Sequence, residues 1–226
     1  MLIHMSGPAQ TNPVRRRLPT AERRVQVLEV AQRMFGERGY AGASTADIAR
    51  EAGISAPALY RHYPNKKALY RAALHASSER MFADWEDTIA AAPNPAAAFM
   101  HMGMRYQQMM REEPHLLQIR FRALNSTEDP EIRDLLRQNL SRAERMLSKL
   151  AERAQADGRL APGITPAMLV ASFLAWGTLT DVTHSLGLLE RDGVYETGLR
   201  DAMLHFAAAA GASSGGTQRR ERSHAG

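Results

Sequence analysis

The chain has 226 residues, enough for a helical protein of one or two compact units. It contains no cysteine, which excludes disulfides and cysteine-ligated metals. Residues 1–80 contain 13 Lys or Arg and 6 Asp or Glu, a net charge of +7, whereas the whole chain carries only +5. A basic first third is typical of a nucleic-acid binder, because neutralising phosphates drives affinity, although a merely soluble basic surface is the alternative.

The sequence contains neither a membrane-spanning apolar run nor the pattern of a signal peptide. The longest apolar run, 167–179, is interrupted by Ser172, Gly177 and Thr178 and is too short to span a bilayer. Residues 1–5 do not have the form of a signal peptide, since the apolar stretch is too short and the arginines follow it. The cytoplasm is therefore the expected location.

The first 19 residues contain three prolines and no apolar period, which predicts disorder. Their one notable feature is Arg15-Arg16-Arg17, which is either an arm for a DNA minor groove or a solubilising tail. A first helix is expected from a cap at Thr20 to Gly39, with an inner apolar stripe. The stripe consists of Val27, Leu28, Ala31 and Phe35.

Residues 44–63 have the pattern of a helix-turn-helix. Ser44 and Ser55 are predicted N-caps, Asp47 is expected to complete a capping box with Ser44, and Gly53 sits where the chain needs a positive φ. The second helix starts with small residues, which allow close approach to a major groove, and continues with Arg61, which can reach guanine or phosphate. A helical hairpin in an α-helical core is the less favoured alternative, because polar and aromatic side chains surround this helix. The predicted DNA contacts are Ser44, Thr45, Ser55, Ala56, Pro57, Ala58, Tyr60, Arg61, His62, Tyr63 and Lys66.

This stretch resembles the DNA-binding domain of the tetracycline-repressor (TetR) family of bacterial regulators. The resemblance covers residues 21–75 and depends most on 59–66, Leu-Tyr-Arg-His-Tyr-Pro-Asn-Lys. Ala31, Phe35, Gly39-Tyr40 and the run Thr-Ala-Asp-Ile-Ala at 45–49 also match. The resemblance implies a three-helix DNA-binding head on a helical body that binds a small molecule.

The rest of the chain shows neither a strand pattern nor an internal repeat, so the fold class is all-α, with about nine helices. Caps or prolines predict helix starts at Asn65, Asn94, Pro114, Asp129 and Thr165. Helix ends are expected near Ile89, before Pro114, and at Leu124, Asp157 and Leu189. A last helix is expected over 194–210. The predicted division is a basic arm at 1–19, a DNA-binding domain at 20–65, a ligand-binding and dimerisation domain at 66–211, and a disordered tail at 212–226.

The helix that begins near Thr165 is apolar on nearly every side, so it must be covered all round. We expect it and the last helix to bury against their copies in a second chain, as the resemblance also implies. A homodimer suits a palindromic DNA site. The predicted interface residues are Ala171, Ala175, Thr178, Leu186, Met203 and Phe206.

A small-molecule pocket is expected in the body by analogy with the family. Methionines that would suit an adaptable surface cluster near residues 100–110, although each one alone is better explained as core. Polar groups in the apolar helix that begins near Thr165 need hydrogen-bond partners. The sequence allows these partners to lie either in a pocket or across the dimer interface. The predicted pocket residues are His101, Met104, Arg105, Gln108, Phe121, Asn125, Trp176, Thr180, Asp181 and His184.

The sequence thus predicts a DNA-binding transcriptional regulator, a repressor that a small molecule releases from its operator. No phosphate loop, nucleophile motif or metal-ligand spacing appears, so neither catalysis, a cofactor nor a metal is expected. The alternatives are a constitutive DNA-binding protein without a ligand and, less favoured, an enzyme with a borrowed head. No motif specifies the effector, the operator or the regulated genes, and activation remains the alternative to repression.

Overall fold

The architecture is all-α in a computed structural model that describes residues 20–188, 197, 198 and 201. The predicted arm, the last helix and the tail fall outside these residues, apart from helical positions 197, 198 and 201. Within the described part, no helix is long and apolar enough to cross a membrane. The helices are α1 (Thr20–Gly42), α2 (Thr45–Glu51), α3 (Ala56–His62), α4 (Lys66–Ala91), α5 (Pro95–Glu112), α6 (Pro114–Ala123), α7 (Pro130–Ala156) and α8 (Pro166–Ser185). A short 3₁₀ turn, Leu124–Ser126, follows α6.

Side-chain caps start four of the body helices where the sequence predicts them. Asn65 and Asn94 accept from the backbone N–H three residues on, at 2.8 and 2.9 Å. Asp129 accepts from Glu131 N at 2.9 Å, and Thr165 from Met168 N at 3.2 Å. These caps satisfy donors that have no partner inside the helix, so the helix starts are determined locally.

Three local predictions need correction. α8 ends at Ser185 rather than Leu189, because Gly187 adopts φ 66° and donates its N–H to His184 O. Gly39 kinks α1 with φ 70°, but one further turn follows it to Gly42. Ser44 caps α2 as expected, whereas the Asp47 carboxylate forms an ion pair with Arg50.

One hydrophobic cluster extends from the head into the adjoining part of the body. The buried side chains of α1 to α3 pack with the first half of α4, and Ile119 of α6 and Ile132 of α7 belong to the same cluster. A second cluster fills the body around Phe82, Trp85 and Phe173. The domain boundary at 65/66 stays a prediction: α4 begins at Lys66, and the packed cluster continues across this point.

Ion pairs fasten α4 to the body along its length. Lys67 Nζ lies 2.9 Å from Asp129 at the start of α7, and Arg105 Nε lies 2.7 Å from Asp84. Arg142 of α7 contacts the carboxylate of Glu79 at 2.7 Å and stacks 4.2 Å from the Phe82 ring. A movement of α4 therefore has to displace neighbouring helices or break these pairs.

Candidate functional sites

The two short helices α2 and α3 present one polar surface. Leu59 is buried and packs in the same cluster as Ile48, so the opposite side of α3 faces outward. On that side Tyr60, Arg61 and His62 are exposed. Ser55 accepts from Ala58 N at 3.3 Å, which caps α3 and places the small residues Ala56, Pro57 and Ala58 in its first turn. A helix with small residues in its first turn and exposed cationic and aromatic groups after them is suited to a DNA major groove.

A hydrogen bond ties α2 to α3 at this surface. Thr45 Oγ1 and Tyr60 Oη lie 2.9 Å apart. The bond joins two predicted contact residues across the turn, and therefore restricts the Tyr60 phenol to one direction. Ser44 Oγ is also engaged, since it accepts from Ala46 N at 3.2 Å.

Lys66 lies at the first residue of α4 and is held by the end of α1. Its Nζ donates to Ala41 O at 3.3 Å and sits 4.8 Å from the Tyr40 ring centre. Its predicted phosphate contact would therefore use an ammonium that the head already positions.

Tyr63 is placed differently from the prediction. It is only 4% exposed and belongs to the core of the head, with the Arg24 guanidinium 5.9 Å from its ring centre. The reason is local: Tyr63 is the C-cap of α3 with extended backbone, and this turns its ring inward. Its hydroxyl is buried without a hydrogen-bond partner. A direct phosphate contact would require this ring to leave the core.

A buried polar pair lies in the body between α5 and α8. Tyr106 Oη donates to Asp181 Oδ1 at 2.6 Å. Burial raises the pKa of Asp181 to about 6, against the opposing effects of the Tyr106 hydroxyl and of the positive charge of Arg120. Burial also raises the pKa of Tyr106 well above its ordinary value. Asp181 is therefore a carboxylate held in an environment that disfavours its charge.

Neighbouring groups extend this pair along α8. His184 Nε2 lies 3.2 Å from Gln118 Nε2 of α6. Trp176 packs edge-on to Tyr106 at 5.9 Å between ring centres, and Phe173 lies 6.0 Å from Trp176. Trp176, Asp181 and His184 thus have partners within their own subunit.

The sequence missed three of the residues in this group: Tyr106, Gln118 and Arg120. The sequence indicated these residues only indirectly. A buried carboxylate at Asp181 requires a hydrogen-bond donor nearby, but the sequence does not specify which helix supplies that donor. Thr180 is buried as well, and its hydroxyl donates to Trp176 O at 2.8 Å within the helix.

The other predicted pocket residues lie elsewhere. Met104, Gln108 and Asn125 are exposed, because α5 packs through the stripe of Phe99, Met102, Tyr106 and Met109. Gln108 Nε2 donates to Glu112 at 2.8 Å, and Arg105 is paired with Asp84. His101 and Phe121 are half-buried, and neither takes part in the hydrogen bond between Tyr106 and Asp181.

One side of α8 carries apolar side chains without cover in the described chain. Met168 is 49% exposed, Leu179 51% and Leu186 67%. The same side includes the exposed small residues Ala171, Ala175 and Thr178. Met203 and Phe206 lie outside the described residues. This stripe is separate from the buried side that holds Phe173, Thr180 and Thr183.

Among residues 20–188, 197, 198 and 201, no group of three or more His, Asp or Glu side chains is arranged to hold a metal ion. The fold and these surfaces define a helix-turn-helix head joined to a helical body. The family model of bacterial regulatory proteins of the tetR family matches residues 27–73, which include α2, α3 and the start of α4.

Comparison with known proteins supports this class. The chain is 46% identical over 67 residues to the HTH-type transcriptional activator FasR of Mycolicibacterium smegmatis, covering 30% of this chain and 31% of FasR. It is 32% identical over 133 residues to the nucleoid occlusion factor SlmA of Pasteurella multocida, covering 58% of this chain and 66% of SlmA. The matched parts therefore span about a third of FasR and slightly less than two thirds of SlmA.

The fold extends the likeness to the body. The crystal structure of a transcriptional regulator from Saccharomonospora viridis in complex with choline superposes with a TM-score of 0.71 at 19% identity, covering 84% of this chain and 97% of that one. At that identity the likeness concerns the fold. Together, the family match and the relatives identify residues 27–73 as a DNA-binding domain of the tetR type, and the body shares the fold of solved transcriptional regulators.

Proposed function

We propose that this protein is a homodimeric, sequence-specific DNA-binding regulator of transcription, a repressor that a small molecule releases from a palindromic operator. The observation that carries the proposal is the exposed side of α3, where Tyr60, Arg61 and His62 stand beyond a first turn of small residues. The net charge of +7 in residues 1–80 supports the proposal, because it attracts DNA before any base is read.

The proposed DNA contacts divide by chemistry. Arg61 and the small residues Ala56, Pro57 and Ala58 belong at base edges, where sequence is read. Tyr60 and Lys66 belong at phosphates, and Ser44, Thr45 and Ser55 lie beside them at the helix starts. His62 lies at the exposed end of α3. Tyr63 supports the position of α3 from inside the head, because this end of α3 packs on its ring.

The exposed stripe of α8 supports the dimer. Three large apolar side chains and a row of small ones form a surface that water covers only at a free-energy cost. Small residues at 171 and 175 allow a second helix to approach closely. A two-fold dimer would present two α3 helices, which matches a palindromic site.

The effector is proposed to bind in the body beside Tyr106, Trp176, Asp181 and His184. Polar groups among aromatic rings are typical of small-molecule sites, and the structural relative from Saccharomonospora viridis has choline bound. An effector that binds better when the two heads are wrongly spaced for DNA weakens operator binding by linkage.

A second candidate function is DNA binding without an effector. The 133-residue match to a nucleoid occlusion factor favours it, since that alignment extends well beyond the helix-turn-helix. The two candidates differ in what they predict for the body: only the first requires a ligand that changes DNA affinity. No feature of the described residues favours an enzyme.

One experiment separates these functions. The purified full-length protein is mixed with fragmented genomic DNA, and the retained fragments are sequenced. A regulator is expected to enrich a few sites that share an inverted repeat, and an unselective DNA-binding protein to enrich many sites weakly. No retention above a protein-free control would remove the proposed function altogether. Titrating the enriched operator with a small-molecule library then tests release.

A further inference from the structure

A cleft of about 530 Å³ lies between the head and the body, away from the Tyr106 to Asp181 pair. One wall is the side of α1 that extends from Val25 to Arg33, and the opposite wall consists of Ala76 and Arg80 of α4 with Glu113, His115 and Leu116 at the start of α6. Small-molecule sites usually have volumes of about 300–1,000 Å³. The cleft is therefore large enough for a compact organic molecule.

The surface of the cleft is mainly apolar. Val25 is 56% exposed, and Leu28, Val30 and Leu116 line the cleft with it. A valine that is half exposed within a concave surface gains from any apolar occupant that removes it from water. The main attraction the cleft offers is thus hydrophobic.

The polar groups of the cleft favour an uncharged ligand. Gln26 Oε1 is buried and has no hydrogen-bond partner. Both arginines of the cleft are already paired, since Arg80 Nη2 lies 2.8 Å from Glu113 Oε1 and Arg33 pairs with Glu51, and the remaining carboxylate, Glu29, is exposed to water. Burial lowers the pKa of His115, so its imidazole is neutral near pH 7. A buried acceptor without a donor is costly, and a hydroxyl group would supply the donor.

The cleft adjoins a close contact between α1 and the start of α6. Gly36 of α1 packs on the start of α6 so closely that a Cβ at this position would lie 2.7 Å from His115 O. Because the two helices already touch here, a change in the angle between α1 and α6 would open or close the adjacent cleft. An occupant of the cleft therefore favours one orientation of the head over another.

We propose that this cleft is a second small-molecule site, distinct from the effector site in the body, and that it takes a neutral, mainly apolar alcohol or phenol whose hydroxyl donates to Gln26. The occupant acts on the head directly, through α1, rather than through the body. The effect on operator affinity rests on the proposed DNA-binding function; binding in the cleft does not.

The test uses full-length protein with 2-naphthol as the probe and naphthalene as the analogue that lacks the hydroxyl. Wild type is expected to bind 2-naphthol more tightly than naphthalene. Gln26→Leu should remove most of that preference, about a tenfold change, because it deletes the acceptor while keeping the apolar volume. Calorimetric titration measures both affinities.

Filling the cleft gives an independent test. Ala76→Phe places a ring in the cleft from the half-buried side of α4 and should weaken 2-naphthol binding at least about tenfold, in line with a lost apolar pocket. Ala83→Phe is the matched control, because Ala83 is exposed on the same helix and does not line the cleft. Trp176→Phe alters the body site and should leave the affinity unchanged. Circular dichroism confirms that each variant is folded.

Equal binding of 2-naphthol by wild type and Ala76→Phe would overturn the proposal, as would a loss of binding in Trp176→Phe alone. For the coupling, 2-naphthol should change operator affinity in wild type and Ala83→Phe but not in Ala76→Phe. An unchanged operator affinity at saturating 2-naphthol would overturn the direct action on the head. Failure of wild type to bind any DNA would instead count against the proposed function, and the calorimetric result would still decide whether the cleft is a site.

Discussion

Tyr106 and Asp181, 75 positions apart in the chain, are joined by a hydrogen bond of 2.6 Å between α5 and α8. The carboxylate gains one strong donor from this bond but loses most of its hydration. Burial is the larger effect, and it raises the pKa of Asp181 to about 6. The pair therefore holds a group whose charge is unfavourable at neutral pH.

The first prediction concerns the stability cost of this charge. The folded-state pKa is above the ordinary value of 3.8, so the folded protein binds the proton more tightly than the unfolded chain does. The free energy of unfolding should therefore fall as the pH rises from about 4 to about 6, by up to about 3 kcal/mol from this group, and stay low above that. Asp181→Asn removes the effect and should stabilise the protein at pH 7.5 by about 1–3 kcal/mol.

Urea unfolding of wild type and Asp181→Asn between pH 4.5 and 8 checks this. Tyr106→Phe is the complementary variant, because it removes the donor and should destabilise the protein more at pH 7.5 than at pH 5. If the free energy of unfolding changes with pH in the same way for wild type and Asp181→Asn, Asp181 is not the group that titrates.

The second prediction concerns base reading. Arg61 is exposed on the outward side of α3, so Arg61→Ala should weaken binding to the operator far more than binding to random DNA. A base contact is worth about 1–3 kcal/mol of discrimination. Arg145→Ala is the control, since it removes the same charge from an exposed position on α7 in the body. If operator and random DNA are affected equally in a competition assay, Arg61 contacts phosphate only.

The third prediction concerns phosphate contacts. Lys66→Ala and Tyr60→Phe should weaken binding to all DNA sequences alike, and for the lysine the salt dependence of log Kd should decrease by about one. Lys66 also contacts Ala41 O and the Tyr40 ring, so the substitution removes two contacts within the head as well. A thermal melt separates the two effects. An unchanged salt slope in an otherwise stable variant would remove Lys66 from the phosphate contacts.

The sequence was most informative where structure is determined locally. The starts of α4, α5, α7 and α8 depend on a cap within three residues, so they could be located without tertiary information. The end of α8 also had a local signal in Gly187, but the flanking leucines extended the apolar pattern beyond it.

Side-chain orientation in the sites could not be derived in the same way. Met104 and Tyr106 are two positions apart on α5, yet one is 41% exposed and the other 6%. Which side of α5 faces the core depends on α4, α7 and α8, and that packing has no signature within α5 itself. Tyr63 is a similar case, because the turn after α3 determines whether its ring points inward.

The last prediction concerns assembly. We expect the protein to be a dimer that does not dissociate without unfolding, because Met168, Leu179 and Leu186 form an apolar stripe on α8 that the described residues leave uncovered. Ala175 is exposed in the middle of that stripe, so the carboxylate of Ala175→Asp does not enter the core of its own subunit. In a dimer the same carboxylate would be buried without a partner, which costs several kcal/mol unless it takes up a proton. Ala175→Asp should therefore abolish both dimerisation and operator binding, since a single head can contact only one half-site.

Sedimentation velocity at micromolar concentration measures the loss of the dimer, and an operator titration measures the loss of DNA binding, with Ala83→Asp on α4 as the control. A folded wild-type monomer that still protects a palindromic operator would rule out the dimer, and with it release by a change in head spacing.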